Sequence, residues 1–445
     1  MDNNKKKRFL VRQALIKKIL FFALLLIFAF IGLIWFARPK ISEFEKRELT
    51  KFPKITISGI LDGSFFSGVD KWYSDTYPLR ESLISRNSKL QSLYGIRSEQ
   101  LIEATTEEPK TTTEPAKPAD PDDALEEGLG DVDVPAESAG TIYIAKNSGY
   151  GVYNYDATVS ARYAKLLAQI GTNLAGKANV YNIIVPISAG VMLSDDVQKS
   201  IHCDDEDAAI QAIYSQEGGN VTAIPIFHAL KKHNSEYIYF HTDHHWTALG
   251  AYYGYREFCK VKEFTPNEIT SYKTVEFTGF LGSFYTDSNR SPVLAQNPDT
   301  ITAYVPNGAD TLHSFIMKGK GYIECDWPII NDVSSYPESE MYSTFSGADQ
   351  PYSYVHNETK TDGSSVLVVK DSFANAFIPF LVDHYEYVYW IDYRHYPKYC
   401  NYYGISDATI SGLVSDKGIQ DVLIMNSINS TGTSKLLDQM ELIYK

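Results

Sequence analysis

The sequence predicts an α/β protein with a mostly parallel, three-layer sheet, preceded by one N-terminal transmembrane helix. A run of 19 residues without a charge, Ile19–Ala37, indicates the transmembrane helix. From Thr141 to the end of the chain, strand-like apolar runs alternate with helical patterns. Strands that alternate with helices of ten or more residues are typical of βαβ units, which build parallel sheets.

The apolar run has the length of a membrane span. A bilayer core of ~30 Å needs about 20 apolar residues in a helix, and the apolar core of a cleavable signal peptide is shorter. Residues 1–18 carry seven lysines and arginines, which favours the cytoplasmic side for this end. We therefore expect a cytoplasmic basic tail (1–18), an uncleaved signal-anchor (19–37) and a C-terminal domain outside the cell. A cleaved signal peptide is the alternative.

Two segments separate the anchor from the main domain. Residues 38–102 have helical spacing in two stretches, with Pro78 suited to the first turn of the second helix. Residues 103–139 contain 12 acidic and 2 basic residues and no aromatic residue. Such a segment buries too little apolar surface to offset its ordering entropy, so we expect a disordered acidic linker. Residues 140–445 then form the main domain.

Within that domain, short apolar runs rich in β-branched or aromatic residues predict strands, and longer amphipathic runs predict helices. The segment 272–355 has the pattern of short strands and loops. The expected strands are Thr141–Ala145, Asn179–Ser188, Glu236–Phe240, Ser365–Lys370, Glu386–Ile391 and Asp421–Asn426. The expected helices are Ser160–Gly171, Ala223–His233, Thr247–Lys260 and Ser372–Tyr385.

Charge and cysteine spacing exclude some functions. The net charge of -14 argues against nucleic-acid binding, which needs a basic surface. The four cysteines show no C-x-x-C spacing, which excludes zinc-ribbon and thioredoxin-type motifs. A location outside the cell permits disulfides, and free buried thiols fit the sequence equally well.

The densest polar cluster, His241–Thr247, follows one predicted strand and precedes a predicted helix. In an extended run, residues i and i+2 share a face, so Asp243 and His245 would be neighbours. A carboxylate beside an imidazole fixes its tautomer and stabilises the imidazolium that forms in general-base catalysis. The alternatives are a metal site formed by His241, Asp243 and His245, and a purely structural hydrogen-bonded cluster.

A second strand end supplies a nucleophile for this pair. Ser372 follows the predicted strand Ser365–Lys370 and opens a predicted helix. At such a turn, the N–H groups of the helix N-terminus can stabilise an oxyanion. The alternative is that Asp371 or Ser372 only caps the helix.

Together, TDHHWT (Thr242–Thr247) and KDSFANAF (Lys370–Phe377) resemble the DHHW family, bacterial relatives of the SGNH-hydrolase-like alginate O-acetylation proteins. The resemblance also covers FEKRELTKFP (Phe44–Pro53), and it implies an SGNH-hydrolase-like fold. It assigns Ser372 as nucleophile, His245 as base and Asp243 as its partner. Lys370-Asp371-Ser372 replaces the Gly-Asp-Ser of ordinary SGNH enzymes, so the resemblance does not assign the residues of the oxyanion hole.

The implied function is a membrane-anchored O-acetyltransferase that acts outside the cell on a polysaccharide through an acetyl-serine intermediate. No metal or diffusible cofactor is expected. A multi-spanning membrane acyltransferase is the implied acetyl donor. An acetyl esterase with the same residues is one alternative, and a non-catalytic subunit of a polysaccharide assembly or export complex is the other.

Further positions are candidates for contacts with the substrate or the oxyanion. Arg394 follows a predicted strand and is suited to an acetyl or sugar oxygen, with a surface salt bridge as the alternative. Backbone N–H groups at a glycine and side-chain donors at strand ends suit an oxyanion hole. The 32 tyrosines could stack on sugar rings, although tyrosine is common in cores. The full set of candidates is Asn375, Arg394, Gly282, Asn426 and Trp246.

Overall fold

The computed structural model describes residues 38, 40–42, 47–56, 59–60, 63–78, 99–103, 141–309, 311–318 and 321–444. The chain forms two compact units, Met1–Gly95 and Ile96–Lys445. The predicted basic tail (1–18), signal-anchor (19–37), second juxtamembrane helix and nearly all of the acidic linker (103–139) lie outside the described residues. No helix within the described ranges is long and apolar enough to cross a membrane.

In the first unit, two paired strands of two residues each (β1 Ile41–Ser42 and β2 Arg47–Glu48) precede helix α1 (Ser64–Asp75). This helix is the first of the predicted juxtamembrane helices. The guanidinium of Arg38 lies 3.7 Å from the ring centre of Trp72 on this helix. The same guanidinium donates a hydrogen bond to Thr76 Oγ1 at 2.5 Å. These contacts fix residue 38 against the C-terminal end of α1.

The second unit is built on strands and helices in alternation. Its strands are β3 Glu99–Glu103, β4 Thr141–Ala145, β5 Ser148–Gly151, β6 Asn179–Val185, β7 Val221–Ala223, β8 Lys273–Phe280, β9 Asp299–Val305, β10 Thr311–Lys318, β11 Gly321–Pro328, β12 Tyr352–His356, β13 Ser365–Lys370, β14 Tyr387–Asp392 and β15 Asp421–Ser427. Its helices are α2 Ala157–Leu174, α3 Ser188–Met192, α4 Asp195–Ser200, α5 Glu206–Tyr214, α6 Phe227–Lys232, α7 Ala248–Lys262, α8 Ser283–Asp287, α9 Ile378–Leu381, α10 Tyr396–Tyr403, α11 Ile410–Lys417, α12 Ile428–Thr431 and α13 Ser434–Tyr444.

The largest sheet has eight strands in the order β11-β10-β12-β14-β13-β15-β6-β7. The run from β14 to β7 is parallel, whereas β12, β10 and β11 add to it antiparallel. The expected mostly parallel sheet is therefore present, with an antiparallel edge. β13 consists of buried residues only, because it is central in the sheet and covered on both faces.

Helices lie on both faces of this sheet. Successive side chains of a strand point to opposite faces. On β6, Tyr181 packs edge-on against Phe258 of α7, while the next residue, Asn182, meets Tyr163 of α2. Helices α7 and α2 thus cover opposite faces, which gives the three layers that the sequence predicts.

Two sequence expectations differ from the structure here. Glu103, placed at the start of the linker, ends strand β3, which pairs with β4. The expected strand Glu236–Phe240 is not part of the sheet and makes only one antiparallel bridge, between Tyr239 and Trp246. Ile238, Tyr239 and Phe240 are buried by packing into the core, so the pattern indicated burial but not strand pairing.

Candidate active site

The segment 239–247 is a narrow loop that folds back on itself. The amide of Phe240 donates to the carbonyl of His245 (3.2 Å), and that of Thr247 donates to the carbonyl of Ile238 (2.9 Å). Thr247 then caps α7 by accepting a hydrogen bond from the amide of Gly250. The polar cluster therefore projects from a closed loop at the start of a helix, not from the end of a sheet strand.

This loop and the end of β13 bring the three predicted catalytic residues together. His245 Nε2 lies 2.6 Å from Ser372 Oγ, and His245 Nδ1 lies 2.5 Å from Asp243 Oδ1. All three residues are buried, with exposed fractions of 4–6%. The arrangement lets a proton pass from the serine hydroxyl to an imidazole that a carboxylate holds on its other side.

Asp243 is held by more than its contact with the imidazole. Its Oδ1 also accepts the amide of His245 (2.9 Å), and its Oδ2 accepts the amide of Ser283 (2.8 Å). Burial by itself would raise the pKa of Asp243, but the imidazoles of His245 and His244 and these hydrogen bonds lower it below its usual range. Asp243 is therefore ionised and able to stabilise a protonated His245.

Two aromatic residues orient the partners, and sequence reasoning did not identify the first. The ring of Tyr342 stacks on the imidazole of His245 with centroids 3.8 Å apart and planes 9° apart. Its hydroxyl donates to the carbonyl of Ser372 (3.1 Å). Trp246, a predicted site residue, donates from Nε1 to the carbonyl of Phe373 (2.8 Å). Both aromatics thus connect the loop 239–247, called the histidine loop below, to the turn Ser372–Ala376, called the serine turn.

The segment after Ser372 differs from the expected helix Ser372–Tyr385. A 3₁₀ turn, Ser372–Ala376, is followed by the short helix α9. Pro379 has no N–H to donate to the carbonyl of Asn375 four residues earlier, and that carbonyl accepts the hydroxyl of Ser346 instead (2.8 Å). The predicted long helix is wrong because a proline interrupts its hydrogen bonding.

Asp371 caps the turn, as one of the sequence alternatives had it. Its Oδ1 accepts the amide of Phe373 (3.1 Å), while its Oδ2 accepts the amide of Ser427 (2.6 Å) and the hydroxyl of Ser430 (2.8 Å). One carboxylate therefore joins the ends of the neighbouring parallel strands β13 and β15. The cap and the nucleophile position are adjacent residues, so the two interpretations do not exclude each other.

Arg394 and Asn375 belong to a buried charged network beside the serine turn. Arg394 donates to Asp392 through Nε (2.8 Å), and Lys370 Nζ lies 2.9 Å from Asp349 Oδ1. Asn375 donates from Nδ2 to Asp349 as well (3.0 Å). Lys370 is fully buried, and burial would lower its pKa, but Asp349 and Asp392 raise it. Nε and Nη2 of Arg394 and Nδ2 of Asn375 are thus directed at carboxylates of the protein.

Gly282 and Asn426 have structural contacts of their own. The amide of Gly282 donates to Thr242 Oγ1 (3.1 Å), and a Cβ on this glycine would lie 2.3 Å from Asp243 Cβ. Asn426 donates from Nδ2 to the hydroxyl of Tyr163 (3.0 Å). The glycine makes room for Asp243, and the asparagine ties β15 to α2. Their predicted oxyanion roles stay predictions.

Within the described ranges, one group of side chains has the spacing of a metal site. Ligand atoms of Asp243, His244 and His245 lie within 4.8 Å of one another. His245, however, directs Nδ1 at Asp243 and Nε2 at Ser372, so an ion would have to displace one of these contacts. His241, which the sequence grouped with them, is turned toward Asp299 (2.9 Å). All four cysteines are free thiols; Cys259 and Cys400 are buried, as one of the two sequence alternatives had it, whereas Cys203 and Cys325 are half-buried.

Fold and site together define a mixed α/β protein in which a serine, a histidine and an aspartate are hydrogen-bonded in series beside a mostly parallel sheet. The chain belongs to the DHHW family: the model described as "DHHW protein" matches residues 45–116 and 117–391. The expected family resemblance is thereby confirmed.

Several solved structures are similar to this chain. A DHHW family protein from Eubacterium siraeum is 27% identical, covers 70% of this chain and 97% of its own, and has a TM-score of 0.57. Bacillus cereus PatB1 with a sulfonyl adduct is 16% identical, with 66% and 98% coverage and a TM-score of 0.53. The O-acetyltransferase domain of Pseudomonas putida AlgJ is 14% identical, with 63% and 87% coverage and a TM-score of 0.32. No curated protein matches the chain.

Proposed function

We propose that this protein is a membrane-anchored serine O-acetyltransferase that modifies a polysaccharide outside the cell. The observation that carries the proposal is the hydrogen-bonded series from Ser372 Oγ through His245 to Asp243. A serine is a weak nucleophile unless an adjacent base takes its proton, and this series provides that base. The implied acetyl donor is a multi-spanning membrane acyltransferase, since acetyl-CoA is absent outside the cell.

In the first half-reaction, Ser372 Oγ attacks the carbonyl carbon of the donor acetyl group while His245 Nε2 takes the hydroxyl proton. The tetrahedral intermediate collapses, and the leaving group departs with that proton, leaving acetyl-serine. In the second half-reaction, His245 takes the proton of a sugar hydroxyl, whose oxygen attacks the acetyl-serine. Ser372 regains its proton, and the sugar leaves as an acetate ester. Asp243 stays ionised and stabilises each imidazolium.

An acetyl esterase uses the same residues, with water in place of the sugar hydroxyl, so only an acceptor assay separates the two activities. A non-catalytic assembly role would predict that the three side chains are too far apart for hydrogen bonding. The observed contacts at 2.5 and 2.6 Å favour a catalytic role over that alternative.

The direct test is Ser372→Ala in the full chain. We expect the wild-type protein to react with a serine-directed sulfonyl fluoride and to hydrolyse a soluble acetyl ester. The variant should lose the label and roughly 10⁴-fold or more in kcat, as removal of a triad nucleophile does. The matched control is Ser415→Ala, at an exposed serine of α11 that donates only to the carbonyl of Ser411.

Equal labelling of wild type and Ser372→Ala would contradict the proposal. Added oligosaccharide then separates the two enzyme activities. A transferase yields acetylated oligosaccharide at the expense of free acetate, whereas an esterase releases acetate at an unchanged rate.

A further inference from the structure

A cleft of about 390 Å³ lies beside the histidine loop, within the ~300–1,000 Å³ typical of ligand sites. Its walls come from strand β5, helix α3 and residues 234–241, all in the second unit. It contains neither Ser372 nor His245, so it is a separate feature from the three-residue series. Its lining includes Ser148, Tyr150, Ser235, Glu236, Tyr237 and His241.

The lining has the chemistry that recognises sugars. The imidazole of His241 stacks on the ring of Tyr237 with centroids 4.8 Å apart and planes 24° apart, and Tyr150 adds a second half-buried ring. Aromatic rings of this kind combine a flat apolar face with a polar edge, which suits the C–H faces and hydroxyls of a sugar ring. Ser148 and Ser235 add hydroxyl groups beside these rings. The carboxylate of Glu236 also lines the cleft, and its oxygens contact His233 Nδ1 (2.7 Å) and the hydroxyl of Tyr253 (2.7 Å).

The same lining disfavours other ligand classes. Neither lysine nor arginine is among the described residues that line the cleft, so an anionic phosphate would find no cation there. An acyl chain would desolvate the serine hydroxyls that interrupt the apolar surface and would offer them no hydrogen bond in return. An uncharged, hydroxyl-rich ligand fits best.

The cleft wall is continuous with the loop that carries the catalytic base. His241 Nδ1 contacts the buried carboxylate of Asp299 (2.9 Å), which also accepts the amides of His241 (2.8 Å) and Thr242 (2.7 Å). The carbonyl of His241 accepts the amide of Gly149 from β5 (2.7 Å). These contacts fix the aromatic wall immediately before Asp243 in the chain.

We propose that this cleft binds a short segment of the acceptor polysaccharide and so keeps the polysaccharide beside the histidine loop during transfer. The inference rests on the proposed function for the identity of its ligand. It assigns the recognition of a neutral saccharide to the Tyr237–His241 stack and to Tyr150.

The test measures binding without turnover. In full-length Ser372→Ala protein, cellotriose and N,N′,N″-triacetylchitotriose are titrated by calorimetry, and at least one should bind at a single site. Adding Tyr150→Ala should weaken that binding at least tenfold. Ser235→Trp, at an exposed position where the indole fills the cleft without disturbing the core, should do the same. The matched control is Tyr402→Ala, at a tyrosine that is 52% exposed and outside the cleft.

Two results overturn the inference: neither trisaccharide binds, or binding is equally strong in the Tyr150→Ala and Ser235→Trp proteins. Failure here is distinguishable from failure of the proposed function. Sulfonyl fluoride labelling of Ser372 in the wild type tests the chemistry, and calorimetry with the Ser372→Ala protein tests the cleft alone.

Discussion

Tyr342 contacts both His245 and the turn that carries Ser372, through two different parts of one side chain. Its ring covers one face of the His245 imidazole, and its hydroxyl holds the Ser372 carbonyl. The ring restricts rotation of the imidazole, while the hydroxyl fixes the position of the Ser372 backbone relative to the imidazole. The two contributions can therefore be separated by substitution.

We expect Tyr342→Phe to lower kcat for ester hydrolysis about threefold to tenfold, because it removes one hydrogen bond worth about 1 kcal/mol. Tyr342→Leu removes the stacked ring as well and should lower kcat further. Steady-state kinetics give kcat and KM separately, and KM should change less than kcat, since Tyr342 is a positioning residue.

The control for this pair is Tyr336→Phe, at a tyrosine that is 40% exposed and hydrogen-bonded to Asn331. If Tyr342→Leu kept the wild-type kcat, the stacked ring would have no part in positioning His245.

Sequence reasoning reached Asp243, His245 and Ser372 because their signals are local: a tight polar motif, and a serine directly after an apolar strand. It did not reach Tyr342, which lies in the 3₁₀ turn Met341–Thr344 within a segment of irregular pattern. Nothing near this tyrosine in the chain distinguishes it from the other 31, because both of its contacts are made by tertiary packing.

At the scale of elements, the candidate active site depends on how closely two loops approach. In the turn that leads into α8, the amide of Ser283 donates a hydrogen bond to Asp243. Gly282 lies against the same aspartate and leaves room for it because glycine has no side chain. A β-carbon at position 282 would lie 2.3 Å from both Cβ and Oδ2 of Asp243. Such a distance is too short for any relaxed packing, so either the turn or the aspartate must move.

We therefore predict that Gly282→Ala displaces Asp243 from His245 and lowers kcat about 100-fold, the order of loss that a 1 Å misplacement produces. The measurement is ester hydrolysis together with thermal unfolding, since the fold should be retained. Gly219→Ala is the matched control, because a Cβ at Gly219 would meet no atom within 4 Å. Wild-type kinetics in Gly282→Ala would show that the contact is relieved without moving Asp243.

The elements that the sequence predicts well are the ones whose burial comes from the sheet itself. The runs that became β13, β14 and β15 are apolar in their interiors, with β-branched, aliphatic or aromatic residues, as central parallel strands require. Glu236–Phe240 has a similar composition but is buried by side-chain anchors: the hydroxyl of Tyr239 donates to the carbonyl of Pro186 (2.6 Å). Composition reports burial, and it does not report which backbone groups pair.

At the scale of the whole molecule, stability should depend on pH through the buried carboxylate of Glu217. Glu217 is 1% exposed, and one of its oxygens accepts a hydrogen bond from Asn182 Nδ2 (2.5 Å). Burial raises the pKa of Glu217 to about 7, partly offset by that hydrogen bond. The folded state thus binds this proton more tightly than the unfolded state, so stability falls as pH rises from the ordinary pKa toward about 7.

We predict that the melting temperature of the wild type falls more between pH 5 and pH 8 than that of Glu217→Gln. The amide cannot ionise, so the variant avoids a penalty of up to about 3 kcal/mol at the higher pH. Thermal unfolding at the two pH values gives the difference. Glu358→Gln, at an exposed position, is the control and should keep the wild-type slope. Equal slopes in wild type and Glu217→Gln would mean that Glu217 is ionised throughout this range.

The two contacts between the histidine loop and the serine turn have a consequence for chain entropy. His245 to Ser372 and Trp246 to Phe373 each join residues separated by 127 positions. Closing so long a stretch of chain is costly once, but the cost grows only with the logarithm of its length and is shared by contacts between adjacent residues. Once the contact between His245 and Ser372 has closed this stretch of chain, the hydrogen bond from the Trp246 indole adds its free energy with little further loss of chain entropy. Alignment of the serine with the imidazole is in this sense a cooperative property of two neighbouring residue pairs.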